Sequence, residues 1–132
     1  MPGKIKSACV GALAAAALAS TAAPAFALPV TSFHVSGTNA HVSGSLTWNN
    51  RSVAVQGTVH DRTWTDATVA HFEAYAGGRK VDEALCSAND SDTPCNPTLK
   101  GPRGGITKVV VWIIDEDGEN QSTRHSYYRP HR

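Results

Sequence analysis

The chain has 132 residues, with 12 Lys and Arg against 11 Asp and Glu and 41% hydrophobic residues. A balance so near zero argues against the strongly basic surface that nucleic acid or an anionic membrane requires. The length suits one domain with a core of its own.

The first 27 residues have the composition of an export leader. Lys4 and Lys6 precede the apolar run from Ala8 to Ala19, and Ala25-Phe26-Ala27 supplies the small-x-small pattern that signal peptidase cuts. Cleavage after Ala27 leaves residues 28–132 as the mature domain. The apolar run is shorter than the roughly 20 residues a span needs, so the expected product is secreted, extracellular and free of the membrane. Lys4 and Lys6 leave with the leader, so ten of the basic residues remain against all eleven acidic ones. Cys9 leaves too, and an exported domain with Cys86 and Cys95 as its only thiols is expected to join them in a disulfide that pins a short loop.

Strands follow in order. Phe33 and Val35 alternate with Ser32, His34 and Ser36, giving a first strand with one buried face. The tetrapeptide His-Val-Ser-Gly at His34–Gly37 returns at His41–Gly44, as two arms of a turn or by coincidence. Val42, Gly44, Leu46 and Trp48 line one face of a second strand, Asn49 and Asn50 turn, and Val53, Val55, Gly57 and Val59 line the third in the same phase. A polar loop with Trp64 leads to a strand with Ala70, Phe72 and Ala74 on one face and Val69, His71, Glu73 and Tyr75 on the other. After Gly77-Gly78, residues 79–86 form a strand with Val81 and Leu85 inward, and Ser87–Arg103 is expected to be a long crossover loop.

The densest stretch is Ile106–Ile114. Its β-branched residues carry Val109, Val111 and Ile113 on one face and Lys108, Val110, Trp112 and Ile114 on the other, so the strand belongs mid-sheet. Asp117-Gly118 turns it into a last strand over residues 121–129. About seven short strands with no helical period predict an all-β domain, a single Ig-like antiparallel β-sandwich.

The pattern Leu46-x-Trp48-x-Asn50-Arg51-Ser52-Val53-x-Val55-x-Gly57-x-Val59, with Gly104-Gly105-Ile106 downstream, resembles small secreted actinobacterial proteins of this size that have no assigned activity. The resemblance implies export and a sandwich, and it transfers no functional residue.

Chemistry-bearing groups are sparse. Asp115, Asp117 and Glu119 surround Gly118, but the glycine falls at the wrong position for an EF-hand loop, so a turn is favoured over a weak calcium site and no cofactor is expected. The six histidines are scattered without metal-ligand spacing, and each is expected on the surface, with His71 beside Glu73 as the nearest to an exception. No nucleophile elbow or paired carboxylate marks an enzyme. Aromatic rings are the remaining ligand candidates: Trp64 on its polar loop, and Tyr75, Trp112, Tyr127 and Tyr128 on strand faces that would point outward. The expectation is a monomeric, non-catalytic binding or structural module for an extracellular polysaccharide or protein. The alternative is an inhibitor or effector of an extracellular enzyme, acting through the loop closed by Cys86 and Cys95.

Overall fold

The computed structural model describes residues 27–63, 65–115 and 120–131. The expected leader, Ala27 excepted, lies outside them. Nine strands and no helix occupy the described residues: β1 (Val30–Gly37), β2 (Ala40–Trp48), β3 (Ser52–Asp61), β4 (Thr68–Ala76), β5 (Arg79–Ala88), β6 (Asp92–Cys95), β7 (Thr98–Lys100), β8 (Lys108–Asp115) and β9 (His125–Tyr128). No helix among them is long and apolar enough to cross a membrane.

Two antiparallel sheets form a β-sandwich. One has the order β1-β2-β3-β6, with β7 also pairing β3, and the other β5-β4-β8-β9. β2 and β3 register Val42 with Val59, Leu46 with Val55 and Trp48 with Val53, so the expected phase of the hairpin is the observed one. The repeated His-Val-Ser-Gly lies once in each arm of the β1–β2 hairpin, with Val35 opposite Val42. β8 sits mid-sheet between β4 and β9, and Val109, Val111 and Ile113 meet Ala70, Phe72 and Ala74 in the core. Its other face is covered as well, with Val110 at 7% and Trp112 at 5% exposure.

The glycines paired in the first sheet explain how the core closes. Gly44 lies opposite both Phe33 and Gly57. A Cβ at Gly57 would lie 3.1 Å from the Phe33 ring and 2.7 Å from the Ser43 carbonyl oxygen. The bare backbone leaves room for that ring, which meets Phe72 edge-on at 5.7 Å from the opposite sheet.

Three expectations change. Ser87–Arg103 is not a crossover loop: β5 runs on to Ala88, and after the short turn Asn89–Ser91 both β6 and β7 pair with β3. Pro94 and Pro97 suit an edge, where a missing N–H is tolerated, and the Pro97 carbonyl accepts from Val55 N across the gap between the two short strands. Leu85 is 56% exposed rather than inward, because it lies opposite His71 while a bulge beside Ala74 and Tyr75 resets the phase and leaves Val81, Ala84 and Cys86 packed on the core. The disulfide Cys86–Cys95 is present, with Cα atoms 5.8 Å apart, but it joins β5 of one sheet to β6 of the other rather than pinning a loop.

Candidate binding surface

The rings expected to form a ligand platform are mostly engaged within the fold. The Trp112 indole is sandwiched, with the His71 ring 4.7 Å away at 9° on one side and the Arg124 guanidinium carbon 3.9 Å from its centroid on the other. Neither face is open to a sugar. Tyr75 is half-buried, with the Lys108 ammonium 4.6 Å above its ring and its hydroxyl donating to Glu73 Oε1 at 3.0 Å. That hydrogen bond to a carboxylate raises the phenol above its usual pKa, with burial adding to it. Tyr127 is half-buried against Phe33, and its hydroxyl accepts from His34 N at 3.3 Å, so it clasps β9 to β1 between the sheets. Tyr128 alone of these stands free, at 66% exposure. Trp64 lies outside the described residues.

Asp115, at the start of the acidic turn, is engaged within the fold as well. Asp115 Oδ2 accepts from Asn120 Nδ2 at 2.7 Å and Asp115 N donates to the Asn120 carbonyl at 3.0 Å, closing the base of the β8–β9 connection. Asp117 and Glu119 lie outside the described residues. Among the described residues no three His, Cys, Asp or Glu side chains are placed to hold a metal.

Register builds a different surface, which no single strand announces: the outer face of the five-stranded sheet. Ser32, Ser45 and Gln56 form one cross-strand row, His34, Ser43, Thr58 and Pro94 a second, and Ser36, His41, His60 and Asp92 a third. Rows repeat about every 7 Å along the strands and neighbours sit about 5 Å apart across them. Thr47, Ala54 and Thr98 continue the face toward the β2–β3 turn. Most of the side chains are short hydroxyls, an amide and imidazoles; Pro94, Ala54 and the exposed Val30, opposite Thr47, are the apolar ones. Among the described residues, Asp92 and Lys100, both on the outermost strands β6 and β7, are the only Asp, Glu, Lys or Arg that alternation places there.

The third row, together with His34 of the second, orders three histidines. His41 stacks on His60 at 4.1 Å and 22°, and on His34 at 5.1 Å and 29°. His60 Nδ1 lies 2.7 Å from Asp92 Oδ1, and His34 Nε2 lies 2.9 Å from Ser36 Oγ. Burial lowers the His41 pKa below its usual 6.5. The neighbouring His60, His34 and Arg62 add to that shift and Asp92 opposes it. Of the histidines expected on the surface, His34, His125 and His131 are exposed and His41, His60 and His71 are half-buried, and the assembly of His34, His41 and His60 into a ladder needs the pairing of β1, β2 and β3. The one sequence signal was the repeated His-Val-Ser-Gly.

Comparison with protein-family models, with curated proteins and with solved structures gave no match.

Proposed function

We propose that this protein is a secreted, monomeric, non-catalytic binding module of Ig-like topology, and that the outer face of the five-stranded sheet takes a neutral extracellular polysaccharide. The leader composition and the Cys86–Cys95 bridge support export. The Ig-like reading is supported by strand order: from β2 onward the sheets run β2-β3-β6/β7 and β5-β4-β8-β9, which matches A-B-E against C′-C-F-G, with β1 added at the edge.

The carrying observation is the near absence of charge on that face. An exposed sheet face ordinarily carries long Lys, Arg and Glu side chains, whereas rows such as Ser32–Ser45–Gln56 offer hydroxyl and amide groups that both donate and accept. Short side chains lose little rotamer entropy on contact, and a neutral polyol asks for no counter-charge. The inhibitor reading has less to offer a partner, since pairing of β5 with β4 and of β6 with β3 leaves only the turn Asn89–Ser91 outside the strands between the cysteines.

Depletion of the protein from solution by insoluble neutral glucans and chitin tests the proposal. Ser45→Glu with Thr58→Lys places opposite charges diagonally on the face, leaves the core untouched and is expected to weaken retention at least tenfold at an unchanged melting temperature. Retention by no neutral polysaccharide, or equal retention of the variant, would sink it.

A further inference from the structure

Folding separates charges that the net balance hides. Strands β3 and β8 end, and β6 begins, on Asp61, Asp115 and Asp92 at one end of the sandwich, where the β5–β6 turn adds Asp90 and Arg62, bonded to the β1–β2 turn, is the cation among them. At the other end lie Arg51 in the β2–β3 turn, Arg79 at the start of β5, Lys100 at the end of β7, Arg103 in the β7–β8 connection and Arg129 after β9, against Asp82, which accepts from Lys100 N at 2.8 Å. A chain of nearly zero net charge is therefore polar along its strands, and its basic end attracts anions.

That end holds a cleft of about 290 Å³ lined by Asn50, Arg51, Arg103, Gly104 and Arg129, with no carboxylate side chain in its wall among the described residues. Its walls are tied to one another. Asn49 N donates to the Ser52 carbonyl at 2.9 Å, Gly101 N to that of Arg51 at 2.8 Å and Gly105 N to that of Pro102 at 2.9 Å. Arg129 is held by the fold: Nε donates to the Ile106 carbonyl at 2.7 Å, Nη2 donates to the Asn49 carbonyl at 2.8 Å, and the guanidinium lies 5.3 Å from the Trp48 centroid. Gly105, at φ 91°, makes this approach possible, since a Cβ there would lie 2.8 Å from Arg129 Nη2 and 2.9 Å from the Asn50 carbonyl. Arg51 and Arg103 are exposed and make no ion pair among the described residues.

We propose that the cleft between Arg51, Arg103 and Arg129 binds an oxyanion, the carboxylate or phosphate group of an acidic extracellular ligand. Arginine presents a planar fork of donors that matches carboxylate and phosphate oxygens, and it keeps its charge at every physiological pH. Arg129 supplies a fixed positive wall whose orientation is set before the ligand arrives. Arg51 and Arg103 close on the anion from the two loops that flank it. The site goes beyond the neutral-sugar face and does not depend on it.

Titration followed by Trp fluorescence and calorimetry tests the site, with inorganic phosphate, polygalacturonate and a neutral glucan as separate probes. Saturable binding of phosphate or polygalacturonate at low salt is expected. Arg51→Ala with Arg103→Ala should weaken it at least tenfold at an unchanged melting temperature, Arg51→Lys should weaken it less, and added salt should weaken it for the parent. Phosphate binding without polymer binding supports the site with a small anion as its ligand; polymer binding supports it with an acidic polysaccharide. Binding of neither anion, or anion binding that the double variant leaves intact, would overturn it. The neutral-glucan arm reports only on the sheet face, so failure there leaves this result standing.

Discussion

Gly57 shows how a single residue's role depends on a partner far away in sequence. It lies in phase with the buried valines of β3, which is legible in the alternation, but the reason for a glycine is the Phe33 ring laid over it from β1. Gly57→Ala is expected to cost about 2 kcal/mol or more, since the added methyl meets the Ser43 carbonyl as well as the ring and the backbone oxygen cannot swing aside. Urea unfolding measures it, and a midpoint equal to the parent's would mean that the ring does not rest there. The aromatic residues teach the converse lesson. Alternation placed Trp112 on the second face of its strand, correctly, but could not show that His71 and Arg124 would cover both sides of the indole. Period two gives the face of a residue; its neighbours across strands depend on register.

At the scale of elements, β8 is the most legible because composition and length agree: Val109, Val110, Val111, Ile113 and Ile114 are β-branched, there is no Gly or Pro, and breaks stand at each end. Val111 is fully buried, so Val111→Asp puts an unpaired carboxylate between the sheets and is expected to cost on the order of 4 kcal/mol or more, enough to unfold a small domain. Lys108→Gln on the same strand removes only the contact with the Tyr75 ring and should cost about 0.5–1 kcal/mol. Thermal melts of the two variants check the contrast. β6 and β7 were illegible for the opposite reason. They are four and three residues long, carry prolines, and owe their extended form to pairing with β3 rather than to any pattern of their own. Two cysteines nine apart suggested a local loop, yet the chain between them folds back so that the bridge ties the sheets at their β5 and β6 edges. Reduction should lower stability by about 2.5–3 kcal/mol, the chain-entropy value for so short a loop, and paired urea titrations with and without reductant measure it.

For the whole molecule, charge and protonation couple the two outer sheet faces to pH. Composition predicted a neutral domain and was right about the sum, but the segregation of Arg51, Arg103 and Arg129 from Asp61, Asp92 and Asp115 arises only when antiparallel strands bring distant turns to the same end. The histidines follow the same rule. On one face His41 is held below its usual pKa by burial, with His60, His34 and Arg62 adding and Asp92 opposing. On the other, burial does the same to His71 against Trp112, with Glu73 and Glu83 opposing and Arg124 adding. Both groups bind their proton less readily in the folded chain than in the unfolded one, whose value is 6.5. Between the lowered folded values and 6.5 the unfolded chain therefore holds more protons, and stability rises with pH. The stabilising effect of the neutral rings is fully present above about pH 7 and is lost as pH falls through 6.5 toward the folded values. A melting temperature that declines between pH 7.5 and 5.5 is the expected result, with the slope reduced by His41→Gln and reduced again by adding His71→Gln. A flat profile in the parent, or a slope that both substitutions leave unchanged, would show that neither ring carries the dependence.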